Sequence, residues 1–200
     1  MAISDKPLCA ACGQEAATSG DHALACASSG LYRRHNLVRD HVAVLCRLAG
    51  WHSQLEVGLP PEAGSNSRPA DVFLSNVGVK PVALDIGVSP PLRPSAPGLL
   101  RDVVGESADR QELSKLRSMG SVCSSFGWVH KPICFETTGA WGPGAGAFLR
   151  KLARTVATRG VYDSLAAWSL VLATIQLALA KGCAEMLLRS AGPATPLHLL

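Results

Sequence analysis

The stretch that decides the fold runs from residue 68 to residue 92 and reads RPADVFLSNVGVKPVALDIGVSPPL. It holds two short strand-like runs, 71–74 and 82–88, which carry Asp71 and Asp85 respectively. The linker between them contains Asn, Gly and Pro, a composition typical of a hairpin turn. Adjacent strands lie about 5 Å apart, so two carboxylates on one face of such a hairpin can share a divalent cation. The stretch therefore predicts a hairpin with a two-carboxylate metal site.

A simpler interpretation of the two aspartates stays open at this point. In it Asp71 caps a turn and Asp85 pairs with an arginine, because single carboxylates near strands are common. Asp85 interrupts an otherwise apolar run. A buried charge in such a run is costly unless it is paired or binds a metal.

The composition predicts one domain with a small appendage. The chain has 200 residues, of which 48% are hydrophobic, enough for a substantial core. A net charge of +4 permits a nucleic-acid partner without arguing strongly for one. The seven cysteines are an odd number, and the first residues are mixed and polar rather than a secretory signal. A disulfide framework is therefore disfavoured, and a reducing compartment with metal-bound thiolates is favoured.

The N-terminal segment has four potential zinc ligands, namely Cys9, Cys12, His22 and Cys26. Two thiolates two residues apart form a tight turn, and a His and a Cys three residues apart complete the set from one helical turn. A closed set of four ligands predicts a structural zinc site, and so small a segment would need the metal to fold. The alternative is a flexible leader with unconnected cysteines.

Periodicity and turn residues predict the remaining elements. Helices are expected at 31–49, 107–126, 147–158 and 162–189, and strands at 54–59, 71–74, 82–88 and 128–135. The second helix is expected to carry Leu113, Leu116, Met119 or Gly120, and Cys123 on one face. A proline-rich connection is expected at 90–98, a mobile loop at 139–146 and a tail at 192–200.

Two clusters of polar residues have two interpretations each. Arg34, His35 and Asn36 open the first helix, and residues Arg150, Lys151 and Arg154 line one side of the third. Both clusters can be solvated surface, and both can contact a nucleic-acid backbone.

The last predicted helix has an uncharged core at 165–180, whose 16 residues are slightly short of the ~20 that span a bilayer. It is expected to be buried on the domain or against a partner, and no membrane association is expected. A structural or membrane-associated protein is the alternative that this helix suggests.

In their order along the chain, these motifs resemble the C-terminal region of non-LTR retrotransposon polyproteins that carry a restriction-like endonuclease. The resemblance covers residues 9 to about 189. It consists of the Cys-Cys-His-Cys knuckle, Arg34-His35-Asn36, Arg68-Pro69-Ala70-Asp71, the strand with Asp85, and Lys115. Two positions depart from the pattern: Met119 replaces a tyrosine, and Gly87 stands where many such nucleases carry a lysine.

The resemblance implies a fold and a division of the chain. The fold would be α/β with a restriction-endonuclease-like PD-(D/E)XK core, a mixed sheet flanked by helices, and a small N-terminal zinc knuckle. The zinc knuckle would occupy residues 1–30, the nuclease core 31–160, and the apolar helix with its tail 161–200.

The resemblance also implies an activity: metal-dependent nicking of target DNA, which gives a 3′-hydroxyl primer for reverse transcription. Asp71 and Asp85 would hold Mg²⁺ or Mn²⁺, with Glu56 as an additional candidate ligand. Lys115 would replace the lysine missing at position 87. The implied DNA contacts come from Arg34, His35, Asn36, Arg68, Arg150, Lys151 and Arg154.

The implied partners are DNA, RNA and a reverse transcriptase domain outside this chain, and the implied location is the nucleus. The chain is expected to be a fragment of a larger element, a degenerate copy or a domain used alone. The alternative function is that of a catalytically inactive relative, which binds nucleic acid through its zinc knuckle and basic helix.

Overall fold

The fold is described from a computed structural model, which covers residues 7–16, 20–61, 67–91 and 103–192. The helices are α1 (Asp21–Ala25), α2 (Leu31–Leu48), α3 (Glu106–Ser125), α4 (Pro143–Thr158) and α5 (Ser164–Ala191), and a 3₁₀ turn spans Ala27–Ser29. The strands are β1 (Ser53–Val57), β2 (Ala70–Leu74), β3 (Val82–Ser89) and β4 (Val129–Glu136). Most of the predicted connection at 90–98 and of the tail at 192–200 lies outside the described residues.

The four strands form one mixed sheet in the order β1-β2-β3-β4. β1, β2 and β3 pair antiparallel, which confirms the predicted hairpin, whereas β3 and β4 pair in parallel with α3 as the crossover between them. Parallel neighbours need such a crossover, usually a helix. The predicted α/β architecture, a mixed sheet flanked by helices, is confirmed.

The two faces of the sheet differ in character because side chains alternate along a strand. One face packs against α2 and α4 and forms the apolar core with Val72, Leu74, Leu84, Ile86, Ile133 and Phe135. The alternate positions of β2, β3 and β4 include Asp71, Asp85 and His130, and α3 packs against β3 and β4. Asp71, Asp85 and His130 therefore share the face opposite the core.

The predicted apolar face of α3 is buried at Cys123 but largely exposed at its two leucines. Leu113 and Leu116 are 43% and 47% exposed, whereas Ala108, Glu112 and Cys123 are buried. The reason is that Glu112 has partners in the interior. Its carboxylate accepts hydrogen bonds from the backbone N–H groups of distant residues, so this helix is positioned by a polar anchor rather than by an apolar stripe.

Helix α4 begins within the predicted loop at 139–146, which corrects that part of the prediction. Pro143 stands in the first turn, where its missing N–H costs nothing. The Glu112 carboxylate accepts hydrogen bonds from the N–H groups of Gly144 (2.7 Å) and Ala145 (2.8 Å). A carboxylate at a helix N-terminus satisfies orphan donors and complements the helix dipole. Glu112 therefore both anchors α3 and caps the N-terminus of α4.

Helix α5 packs against α2 and α4. By length and composition it could cross a membrane, and 39% of its most apolar window is buried within the protein. Gly182 allows a close approach to α2, because a Cβ atom there would lie 2.7 Å from Cγ of Arg34. Gln176 donates a hydrogen bond to the carbonyl of Gly139. One face of α5 is thus packed against the rest of the domain.

Candidate metal centre and catalytic cleft

The four predicted zinc ligands converge on one point. The donor atoms of Cys9, Cys12, His22 and Cys26 all lie within 4.8 Å of one another. A tight turn places the first pair, with the N–H of Gly13 donating to the carbonyl of Cys9 over 2.7 Å. Helix α1 carries His22 and ends at Cys26. The predicted cluster is confirmed and is compatible with a closed structural zinc site.

The end of α5 completes the surroundings of this cluster. The hydroxyl of Ser190 lies 3.0 Å from the sulfur of Cys9, and the N–H of Ala10 donates to the carbonyl of Ser190. The hydrogen bond between the Ser190 hydroxyl and Cys9 is the largest of several that lower the pKa of Cys9 to about 6, whereas burial acts to raise it. A lowered thiol pKa favours the thiolate that a metal needs. The knuckle is thus docked on the last helix of the chain.

Asp71 and Asp85 come from neighbouring strands of the predicted hairpin. Val72 pairs with Leu84 in the antiparallel register, and Asp71 and Asp85 are the next residues on the two strands. Because side chains alternate along a strand, both aspartates lie on the side of the sheet opposite Val72 and Leu84. Both aspartates line one cleft of about 740 Å³. The strands thus bring the two predicted metal ligands together.

The carboxylate of Asp71 makes two different contacts. Its Oδ2 accepts a hydrogen bond from the backbone N–H of Ile86 over 2.6 Å, and its Oδ1 lies 3.3 Å from Nε2 of His35. The bond to β3 fixes the orientation of the carboxylate group. Oδ1 therefore faces the first turn of α2.

Asp85 is a paired carboxylate, although its partners are not the arginine of the simpler interpretation. Lys115 forms an ion pair with Oδ1, and Nε2 of His130 lies 3.3 Å from Oδ2. Burial alone would raise the pKa of Asp85, but the hydrogen bond with His130 and the charge of Lys115 outweigh it, so the pKa is lowered. Asp85 is thereby held as a carboxylate.

Helix α3 contributes Gln111, Lys115 and Met119 to the wall of the cleft. These positions are one turn apart, so they share one side of the helix. The ammonium group of Lys115, which the resemblance implies as the replacement for a lysine at position 87, forms an ion pair with Asp85 from α3. Met119, which replaces a tyrosine of the resembled pattern, lines the same cleft.

All three residues of the Arg-His-Asn start of α2 border the cleft, and Arg34 is at the same time buried. Arg34 is only 2% exposed and donates to the carbonyls of Leu24 (3.0 Å) and Val88 (3.3 Å). Burial lowers its pKa. These contacts indicate that Arg34 connects α1 with the end of β3. Its contact with DNA stays a prediction.

His35, Asn36 and Arg68 line the cleft, as expected for residues that contact a nucleic acid there. Glu56 also lines it, but its carboxylate forms an ion pair with Arg39. Within residues 7–16, 20–61, 67–91 and 103–192, only the cysteine–histidine cluster brings three or more His, Cys, Asp or Glu side chains within reach of a single metal ion. Glu56 therefore does not join the two aspartates in a preformed three-carboxylate group.

The basic residues of α4 lie outside the cleft lining. Arg150, Lys151 and Arg154 are exposed, and Nζ of Lys151 lies 5.7 Å from the ring centroid of Trp51. Arg150 borders a separate hollow of about 350 Å³ with Trp141 and Asp109. The structure therefore does not bring these three predicted DNA contacts together with the two aspartates.

Sequence reasoning missed two residues of the site, His130 and Gln111. His130 has a buried side chain, and its Nδ1 has no hydrogen-bond partner among the described residues. Gln111 presents an Oε1 atom that likewise has none in the described parts of the chain. The position of Gln111 one turn before Lys115 could have indicated its place in the cleft, whereas His130 depends on the parallel pairing of β3 with β4.

No protein-family model matches this sequence, and a search of curated proteins gives no match. The function of the chain is therefore inferred from the geometry of the cleft and of the cysteine–histidine cluster.

Proposed function

We propose that this protein is a metal-dependent endonuclease that nicks duplex DNA, as its resemblance to the restriction-like endonuclease regions of non-LTR retrotransposons implies. The observation that carries the proposal is the convergence of Asp71, Asp85 and Lys115 on one cleft. Two carboxylates can hold the metal ion that such hydrolysis uses, and the resemblance implies a lysine beside them. They come from three separate elements, β2, β3 and α3.

The donor set of the cleft suits a hard divalent cation. Asp71 and Asp85 would hold Mg²⁺ or Mn²⁺ through carboxylate oxygens, the ligands that these ions prefer. When bound, the ion would activate water and stabilise charge that develops on the phosphate. The contact of Ile86 with Oδ2 of Asp71 leaves Oδ1 directed toward His35, beside the cleft.

The other cleft residues would position the nucleic acid. Lys115 carries a positive charge at the carboxylate of Asp85, where it can turn toward a phosphate. Arg68 and Asn36 lie in the same cleft and can donate hydrogen bonds to backbone oxygens. The buried Arg34 would act indirectly, by holding the first turn of α2 against β3.

The test is nicking of supercoiled plasmid in Mg²⁺ or Mn²⁺ by the zinc-loaded chain. Asp71→Asn and Asp85→Asn keep the size of each side chain and should abolish nicking while sparing DNA binding. Asp109→Asn, on α3 outside the cleft lining, is the matched control and should nick as the natural chain does. Nicking that survives in both cleft variants would refute the proposal.

A second function is favoured by the contacts of Asp85. Lys115 and His130 engage its two oxygens, and Met119 stands where the resembled pattern has a tyrosine. These features would suit a catalytically inactive relative that binds nucleic acid in a zinc-dependent manner. No nicking, together with DNA retention on a gel that a zinc chelator removes, would favour this function.

We also propose that a nick made here would supply a 3′-hydroxyl primer to a reverse transcriptase domain, in the nucleus and with RNA as the template. Only the resemblance supports this context. Co-purification of the chain with such a domain and nuclear localisation of the tagged chain would test it.

A further inference from the structure

We propose that His35 is a metal ligand of the cleft, and that its imidazole together with Asp71 selects a transition-metal ion over Mg²⁺. This inference rests on the proposed endonuclease function and names the class of its metal. Mg²⁺ sites are built from oxygen donors, whereas imidazole nitrogen favours transition ions.

The distance between the two donors fits a shared ion. Nε2 of His35 lies 3.3 Å from Oδ1 of Asp71. Two ligands that each bind a metal at about 2.1 Å and at right angles to one another are about 3 Å apart. The pair can therefore bind one ion after a shift of a few tenths of an ångström.

Contacts on either side fix both donors. The backbone N–H of Ile86 holds Oδ2 of Asp71, which leaves Oδ1 facing the imidazole. His35 follows Arg34, whose buried guanidinium bonds to the carbonyls of Leu24 and Val88 and so sets the rotation of α2 against β3. Donors that are held in place by outer contacts bind metal with less loss of side-chain freedom.

The third acid of the cleft is less suited to this role. Glu56 is ion-paired with Arg39, so binding a metal would require breaking that pair. Asp85 lines the same cleft, but Lys115 and His130 engage its two oxygens, so it too would have to release a partner. His35 and Asp71 thus form a nitrogen and oxygen donor pair, which water would complete.

The alternative is that His35 only donates a hydrogen bond to Asp71. That role needs a proton on Nε2, whereas a metal ligand needs Nε2 free of its proton. The variant His35→Gln separates the two roles, because its amide can still donate to Asp71 but offers no imidazole nitrogen.

The experiment loads the zinc-bound full chain with Mn²⁺ and records electron spin echo modulation from ¹⁴N, which reports nitrogen bound directly to the ion. Modulation is expected in the natural chain and in His52→Gln, an exposed histidine outside the cleft lining. It should be lost in His35→Gln. The Mn²⁺ dissociation constant of His35→Gln should rise roughly tenfold or more, and the Mg²⁺ constant should rise less.

Modulation that persists in His35→Gln would overturn the inference, as would Mn²⁺ binding without ¹⁴N modulation in the natural chain. In either case, nicking that depends on Asp71 would still support the endonuclease with an oxygen-only site. Failure to bind Mn²⁺ would also overturn the inference. Failure to nick plasmid in either Mg²⁺ or Mn²⁺ would overturn the endonuclease as well.

Discussion

A Cβ atom added at Gly87 would lie 2.6 Å from Oε1 of Gln111 on the facing helix α3. It would also lie 2.7 Å from the sulfur of Cys134, a contact that side chains essentially never make. Gly87 is two residues after Asp85, the position at which many nucleases of the resembled kind carry a lysine. The side chains of Gln111 on α3 and Cys134 on β4 thus fill the space that a side chain at position 87 would need, whereas Lys115 reaches Asp85 from α3.

Gly87→Ala should destabilise the protein by about 1–3 kcal/mol, because the added methyl group must displace the side chains of Cys134 and Gln111. Urea unfolding of the variant and the natural chain measures the difference. Gly78→Ala is the matched control, since a Cβ atom there would have no described neighbour within 4 Å. Equal stability of the two variants would show that the side chains of Gln111 and Cys134 can shift at little cost.

Glu112→Ala should cost about 2–4 kcal/mol of folding free energy. It removes the acceptor of hydrogen bonds from the N–H groups of Cys134, Gly144 and Ala145, and so leaves buried donors unpaired. Thermal or urea unfolding would measure the loss. Glu106→Ala on the same helix removes only a pair with Arg110 and should cost under about 1 kcal/mol. Similar losses in the two variants would contradict the anchoring role of Glu112.

The hairpin of β2 and β3 could be predicted because its signals are local. Two short apolar runs and a turn-rich linker lie within 25 residues of one another. These local signals are enough to predict that Asp71 and Asp85 lie on neighbouring antiparallel strands. The face of α3 could not be predicted in the same way. The carboxylate of Glu112 accepts hydrogen bonds from the N–H groups of residues 22, 32 and 33 positions further along the chain. The spacing of apolar residues along a helix gives no information about partners so far away.

The start of α2 shows the same limit at the level of single residues. Arg34 and His35 are neighbours in the sequence, yet one enters the interior and the other faces Asp71. Successive helical residues point about 100° apart, so the rotation of the helix decides which one is buried. The contacts of the buried Arg34 come from far along the chain, since it bonds to the carbonyl of Val88 and lies against Gly182 of α5.

Lys115→Met should lower stability by about 1–3 kcal/mol at neutral pH, because it removes the cationic partner of Asp85. The pKa of Asp85 is lowered in the folded protein, so its stabilising contribution is present above the ordinary value of about 3.9. The contribution is lost as the pH falls through the lowered folded pKa. Urea unfolding at neutral and at acidic pH should therefore show a gap between variant and natural chain that closes on acidification.

The exposed Lys181→Met is the control for the loss of one positive charge. It should leave stability nearly unchanged at both pH values. A gap for Lys115→Met that persists at acidic pH would mean that the aliphatic stem of Lys115, rather than its charge, supports the contact with β3.

Ser190→Ala should weaken zinc binding by roughly 10–100-fold, the range typical of changes to groups that contact a ligand rather than the metal. The hydrogen bond with Ser190 lowers the pKa of Cys9 to about 6. Without it, protons compete with the metal for the thiolate up to a higher pH. Titration with a coloured zinc chelator should show a larger deficit at mildly acidic pH than at mildly basic pH. Ser169→Ala, exposed on the same helix, should bind zinc as the natural chain does. A deficit independent of pH would indicate that Ser190 acts by docking the knuckle on α5 rather than through the thiolate.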